Sequence, residues 1–377
     1  MSEALTVIGL MSGTSMDGID AAILVTDGER VESRGATYAM DYTGEERAIL
    51  RRAVDDARFW IQGQDAPNAV AAAEAVVTQK HKQVVRGLLQ FARKSVDLIG
   101  FHGQTVLHRP ERQWTVQLGD CAALAADAEL PVVGDFRLAD VAAGGQGAPF
   151  ASLYHKALVK SLPLGMLPSE GPVVVVNMGG VGNVTYIDGE TVLAFDTGPA
   201  NGPVDDWIAA WTGRGFDDGG AIAATGRVDE ERIRQALLHP YFHAAPPKSL
   251  DRLDFTMELA DGLPLQDGAA TLTAFSAICV AQARQHFPVE PVAWIVCGGG
   301  RHNPTLMRMI SAAVPAIVYC AEDMGWRGDH LEAEAFAFLA ARSVKGLPLS
   351  IPSTTGVPEP MLGGALYEPQ QPLNNFA

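Results

Sequence analysis

The sequence predicts an α/β protein built as two lobes. Three observations predict it. Each half opens on a three-stranded meander around a glycine loop. A β-Gly-α-β-α run closes the second half. Finally, 377 residues, at ~150 per domain, suggest two or three domains.

The elements follow in order. Residues 5–12 (LTVIGLMS) read as a strand entering a loop from Gly13 to Gly18, and residues 20–26 (DAAILVT) as its antiparallel partner. Asp27-Gly28-Glu29 is a hairpin-type turn, and residues 31–39 form a third strand. The pattern returns later. Residues 173–178 (VVVVNM) are an apolar strand ending at Gly179-Gly180; 183–187 and 191–195 are its partners, joined by a second Asp-Gly-Glu turn at 188–190. Internal symmetry of long period is therefore an expectation. Apolar spacing places helices over 44–59 and 68–92, and strands follow at 96–101 and 131–134. In the second half, helix 269–286 precedes strand 292–297, Gly298-Gly299-Gly300, helix 304–313, strand 316–320 and helix 329–344. The Pro- and Gly-containing stretch 161–172 reads as a surface connection, and the tail from Pro369 as loose.

Composition excludes several classes. Hydrophobic content of 47% with 19% charged residues is globular rather than disordered. A net charge of −16 argues against a nucleic-acid partner. No apolar run nears the ~20 residues of a membrane helix, and no basic residue stands in the first apolar stretch as a signal peptide requires. Cys121, Cys279, Cys297 and Cys320 form no C-x-x-C pair and read as reduced core thiols of a cytoplasmic protein. His239 and His243 share a helical face only if a helix begins at Pro240, so a structural zinc site is not expected.

The chemistry sits in the glycine clusters. MSGTSMDGID (residues 11–20) offers backbone N–H groups and three hydroxyls to phosphate oxygens, and Asp17 and Asp20 as Mg²⁺ ligands, without the G-K-[ST] of a P-loop. Asp196-Thr197-Gly198 ends an apolar strand. An aspartic protease needs a second such carboxylate and this chain has no second Asp-Thr-Gly or Asp-Ser-Gly, so a general base beside a phosphate is the better reading. Gly298 to Gly300 allow close approach by a flat ring or phosphate, with Asn303 capping the next helix. Polar, glycine-flanked stretches around His102, Gln104, Arg137 and Asp140 suit sugar hydroxyls and carboxylates. Asp329 and Glu332 have the spacing of a capping box, or of a substrate contact.

In chain order, MSGTSMDGID, FHGQTVLHRP, QLGD, GDFRLADVAAGGQGAP, NMGGVGNVTYI, FDTGPANG, KSLDRLDF, ATLTAF, CGGGRHNP, GDHLEAEAFAFLAAR and PSTTGV resemble the anhydro-N-acetylmuramic acid kinase family over nearly the whole chain. Gly182 and His330 depart from its usual residues. The resemblance implies a two-lobed actin-like (ribonuclease H-like) ATPase fold, each lobe a mixed sheet flanked by helices. It implies residues 1–134, completed by 356–377, as one lobe and 135–355 as the other, with ATP and sugar in the cleft. The nucleotide site maps to Gly13, Thr14, Ser15, Met16, Asp17, Gly18, Ile19 and Asp20, with Gly179, Gly180 and Gly298 to Gly300 as further contacts. Asp196 maps to the catalytic base. Gln104, Arg137, Asp140 and Glu332 are the sugar candidates, Arg137 for the lactyl carboxylate.

The implied reaction converts 1,6-anhydro-N-acetylmuramic acid, ATP and water into N-acetylmuramic acid 6-phosphate and ADP, with Mg²⁺. The implied role is recycling of cell-wall fragments by a cytoplasmic homodimer. The alternatives are a kinase of another anhydro sugar such as levoglucosan, which has no carboxylate to bind, and a nucleotide-driven chaperone or filament protein.

Overall fold

A computed structural model describes residues 3–369. The tail beyond Pro369, including the last part of segment 356–377, lies outside the described residues. The chain divides into two compact units, one of residues 3–158, 332–351 and 357–369, the other of residues 159–331 and 352–356. The expected boundary after residue 134 falls inside the first unit.

The first unit holds β1 (Leu5–Ser12), β2 (Gly18–Thr26), β3 (Val31–Asp41), β4 (Leu98–Arg109), β5 (Trp114–Leu118), β6 (Val132–Gly134) and, from the C-terminal segment, β12 (Ala365–Tyr367). The sheet runs β12-β6-β4-β1-β2-β3, with β5 paired to the extended end of β4. β1, β2 and β3 are antiparallel, and β4 lies parallel to both β1 and β6. Alternation along β1 sets the layers. Ile8 and Leu10 point into a core with Leu50, Ala53, Val77, Val84 and Leu88 from helices Gly44–Ala57 and Asn68–Leu89. On the opposite face, Gly9 and Gly100 lack the Cβ that would run into the main chain of Ala333 and Phe336, so helix Leu331–Val344 packs directly on the sheet backbone. The first of these helices starts on a capping box. The Thr43 N–H donates to Glu46 Oε2 at 2.7 Å, and the Glu46 N–H donates to Thr43 Oγ1 at 3.2 Å.

The second unit holds β7 (Val173–Met178), β8 (Val181–Asp188), β9 (Thr191–Pro199), β10 (Ala293–Cys297) and β11 (Ile317–Cys320), in the order β11-β10-β7-β8-β9. β7, β8 and β9 form the antiparallel meander, and β10 lies parallel to β7 and β11. Val174, Val176, Trp294, Val296 and Phe195 pack with Ala277 and Val280 of helix Leu265–Gln282 and with Leu306 and Ile310 of helix Pro304–Ala313. Counting strands within each unit, and setting aside β5 and β12, both sheets read 3-2-1-4-5. The internal symmetry suggested by the two Asp-Gly-Glu turns is thus present as topology, and it is the actin-like ATPase arrangement. Gly28 and Gly189 both take positive φ (84° and 56°), the conformation such turns require.

Candidate active site

Asp196 sits near the carboxyl end of β9, where its side chain is 5% exposed. β9 and β8 slip register between Gly182 and Asn183, so Asp196 faces Asn183. Beyond the sheet, the segment 241–250 fixes it. The Asp196 N–H donates to the Lys248 carbonyl at 3.0 Å. The Tyr241 hydroxyl donates to the Asp196 carbonyl at 2.5 Å, and the Leu250 N–H donates to Asp196 Oδ2 at 2.9 Å. A carboxylate oxygen held by a main-chain donor keeps its orientation without a charge being opposed. Lys248 Nζ donates to the Tyr241 carbonyl at 2.8 Å and lies 4.5 Å from the centre of the Tyr241 ring. Burial draws its ammonium down to about 8 and pushes the Tyr241 phenol well above its usual range.

Two glycine turns share this end of the sheet. Gly179 and Gly180 follow β7, and their carbonyls accept from the N–H groups of Ala200, Asn201 and Gly202 at 2.9–3.1 Å. Gly298 to Gly300 follow β10. Gly298 takes φ 75°, and a Cβ on it would press on Met178 O, while one on Gly300 would meet Met178 Cβ. Packing alone therefore demands glycine at both. Gly299 differs: it is exposed, and no heavy atom lies within 4 Å of where a Cβ would stand. Asn303 caps the following helix, its Oδ1 accepting from the Leu306 N–H at 3.0 Å.

Arg301, 6% exposed, braces the turn. It donates to the Gly298 carbonyl at 3.0 Å, to both Glu322 oxygens at 2.8–3.1 Å, and to Asp329 at 2.8 Å. This corrects the capping-box reading of Asp329. The helix begins at Leu331, and the Asp329 carboxylate is drawn to the buried guanidinium, which holds it well below the usual carboxylate range. Glu332 lies half-buried in the first turn of that helix.

In the first unit the loop between β1 and β2 is shorter than expected. It runs only from Gly13 to Asp17, because Gly18, Ile19 and Asp20 already belong to β2, Asp20 pairing with Met11 and Ala39. Gly18 closes the loop tightly, since a Cβ there would lie 2.9 Å from the Met40 carbonyl. Met16 (φ 53°) and Ile19 bury their side chains in the core, leaving their main chain to the loop. Thr14, Ser15 and Asp17 are exposed. The Asp17 carboxylate accepts from Ser15 Oγ at 2.7 Å and from the Gly18 N–H at 2.9 Å.

Gln104, fully buried, is committed to this loop. Its Oε1 accepts from Ser12 Oγ at 2.6 Å, and its amide nitrogen donates to the Gly13 carbonyl at 3.1 Å. Asp140 anchors a second loop: Oδ1 accepts from the Gly147 N–H at 2.7 Å and Oδ2 accepts from the Ser350 hydroxyl. Arg137 donates from Nε to His102 Nε2 at 2.9 Å and from Nη1 to the Gly147 carbonyl, and its guanidinium lies over the Phe150 ring. His102 Nδ1 lies 2.8 Å from the Gly103 carbonyl and must donate there, so Nε2 is left as the acceptor that Arg137 uses. Burial, then the Arg137 charge, keeps this imidazole neutral.

Two mixed α/β sheets of one order, each opening on a glycine turn, with a buried aspartate ending a meander strand, are the arrangement of the actin-like ATPase class. The chain belongs to the anhydro-N-acetylmuramic acid kinase family, whose model matches residues 5–369. Proteins of that name from Nitrobacter winogradskyi and Bradyrhizobium diazoefficiens are each 50% identical over 370 residues, covering 97% of this chain and 100% of their own. One from Rhizorhabdus wittichii is 50% identical over 371 residues, covering 97% of this chain and 99% of its own. Among solved structures, a ROK family glucokinase from Streptomyces griseus in complex with glucose and AMPPNP aligns over 89% of this chain and 99% of its own, at 17% identity and a TM-score of 0.38.

Proposed function

We propose that this chain uses ATP and water to convert 1,6-anhydro-N-acetylmuramic acid into N-acetylmuramic acid 6-phosphate and ADP, and that Asp196 is the general base. The observation that carries the reading is the buried Asp196 carboxylate, pinned on Oδ2 at the same sheet end as two glycine turns. Asp196 takes a proton from water as the water oxygen bonds to the anomeric carbon. The bond from that carbon to the bridging O6 breaks. O6 bonds to the γ-phosphorus, the bond to the β-phosphate bridge breaks, and ADP leaves. Phosphoryl transfer takes the place of the acid that protonates the leaving oxygen in a glycosidase, so one carboxylate suffices.

In the first unit the Gly13–Asp17 loop, and in the second unit Gly299, each offers main-chain N–H groups suited to phosphate oxygens. We assign Arg137 to the lactyl carboxylate and Glu332 to the sugar, with Gln104 and Asp140 holding the loops beside them. Mg²⁺ would neutralise phosphate charge. Among the described residues no group of three or more His, Cys, Asp and Glu could hold a metal, but an ion shared with nucleotide phosphates needs only one or two carboxylates, and the exposed Asp17 fits that need. All four cysteines are free thiols, which supports a reducing, cytoplasmic setting. No helix among the described residues is long and apolar enough to cross a membrane. A homodimer is carried over from the family.

A coupled ADP-release assay tests the reading with 1,6-anhydro-N-acetylmuramic acid, levoglucosan, N-acetylglucosamine and no sugar, the product being read by NMR. ADP release with the muramic sugar alone, giving the ring-opened 6-phosphate, is expected. Release with levoglucosan instead moves the substrate assignment.

A further inference from the structure

Asp196 is bonded by three residues of one segment, and two of these, Tyr241 and Lys248, are bonded to each other. Tyr241 holds the Asp196 carbonyl, Lys248 holds its N–H, Leu250 holds its Oδ2, and the Lys248 ammonium closes the ring on the Tyr241 carbonyl. The Leu250 link reaches the carboxylate itself, on Oδ2, so the aim of that carboxylate follows the segment 241–250. Leu250 donates from its main chain two residues after Lys248, whose carbonyl and ammonium contacts hold the segment in place. We infer that Lys248 is a positioning residue for the reaction: its ammonium pins the 241–250 segment, through Tyr241, in the one placement that aims the Asp196 carboxylate. The inference rests on the reading of Asp196 as the base.

The surroundings of Lys248 fit a pin. It is 8% exposed, and its Nζ faces the rings of Tyr241 (4.5 Å) and Phe195 (5.7 Å). The titratable groups around it come from four elements: Tyr241 on helix Pro240–His243, Asp196 on β9, Cys279 on helix Leu265–Gln282 and His286 in the turn Ala283–His286. Burial raises Tyr241 and Cys279 above their ordinary ranges and lowers His286 below its own. Lys248 alone of these neighbours is brought to about 8. Loss of its charge weakens a charge-assisted hydrogen bond and removes the cation–π contact. Catalysis therefore falls as pH rises through about 8, while nucleotide binding does not.

The test compares wild type with Lys248→Met, Lys248→Arg, Tyr241→Phe and Asp196→Asn, measuring kcat and KM against pH from 6 to 10, with ATP affinity by calorimetry and a thermal melt for each. Lys248→Met is expected to lose at least ~10-fold in kcat, to keep ATP affinity within ~2-fold and to lose the alkaline limb. Lys248→Arg keeps its charge across this range, so it should restore most of kcat and move the limb beyond pH 10. Tyr241→Phe, which removes one hydroxyl, should lose less than Lys248→Met and retain the limb. A folded Lys248→Met or Lys248→Arg with the wild-type limb overturns the inference. Should Lys248→Met fail to fold, an unshifted limb in Lys248→Arg still overturns it. If Asp196→Asn keeps a near-wild-type kcat, the base assignment fails first; if Asp196→Asn is dead and the Lys248 variants behave as wild type, only the pin fails.

Discussion

The Arg301 guanidinium grips the Asp329 carboxylate with two nitrogens, Nη1 on Oδ1 at 2.8 Å and Nη2 on Oδ2 at 2.7 Å, while Nη1 also holds the Gly298 carbonyl. The side chain of Arg301 is 2% exposed, but those of Asp329 and Glu322 are more than half exposed. Removing the cation therefore leaves carboxylates that water can reach. Arg301→Met should cost about 1–2 kcal/mol, read by urea denaturation at pH 7. Because Asp329 is held below its unfolded value, the pair contributes above about pH 4 and is lost as pH falls further. The variant should show a flatter acid slope below pH 4. An unchanged slope would remove Asp329 from the stability of the turn.

Gly298 and Gly299 separate packing from ligand approach. Gly298→Ala combines a positive φ with a clash on the main chain at Met178, and should cost at least ~3 kcal/mol or fail to fold. Gly299→Ala meets nothing in the fold, so its melting temperature should stay within about 2 °C, while KM for ATP rises ~10-fold. An unchanged KM would take the Gly299 main chain away from the nucleotide.

Gln104→Leu takes one hydrogen bond from Ser12 Oγ, which keeps Tyr42, and one from the Gly13 carbonyl, which keeps the Met16 N–H, a loss of about 1–2 kcal/mol. If Gln104 serves the loop, KM for ATP rises and KM for sugar stays within ~2-fold. A rise confined to the sugar would make it a sugar contact instead.

Arg137→Ala separates anhydro sugars by charge. Rates on 1,6-anhydro-N-acetylmuramic acid should fall at least ~100-fold, and rates on an anhydro sugar without the lactyl group should change little. Equal losses on both would mean that Arg137 acts through His102 and Gly147 rather than on the carboxylate.

Histidines that burial keeps neutral, His81, His108 and His155 among them, shape the acid stability. Burial brings His81 and His108 to about 4 and His155 to about 3, against ~6.5 when unfolded. Between those values the unfolded chain binds more protons, so stability is full above pH 6.5 and falls as pH drops toward 4. His81 bonds Val77 through Nδ1 and packs its ring, tilted by 51°, against Phe101 at 4.6 Å, and its Nε2 has no partner. His81→Phe should reduce the slope of stability between pH 6.5 and 4.5 in urea titrations. A slope equal to wild type would mean that His81 does not titrate on unfolding.

Apolar periodicity made the meanders, the parallel strands and the long helices legible. It missed β5, whose Trp114, Val116 and Gln117 are half-exposed, and the three-residue β12, both too short to show alternation. Helix Asn201–Thr212 was hidden by Asn201-Gly202-Pro203 at its start. Pro240 does open a helix, with His239 as its cap, but the helix ends at His243. In the site, Asp196 and the glycine turns stood out because their residue types are unusual at strand ends. Lys248 and Leu250 lay within a quoted stretch, yet their bonds to Asp196 run through main-chain atoms, which side-chain patterns do not register. Asp329 was misread because capping spacing is local, and the Arg301 that claims it is far away in sequence.

The seating of helix Leu331–Val344 against Gly9 and Gly100 bears on the ribosome. The second unit is nearly continuous in sequence, whereas the first needs this late helix and the strand at 365–367. A nascent chain thus emerges with one face of its first sheet bare, and that face stays bare while the whole second unit is being synthesised. Glycine-floored and apolar, it can be closed only when helix Leu331–Val344 has left the exit tunnel.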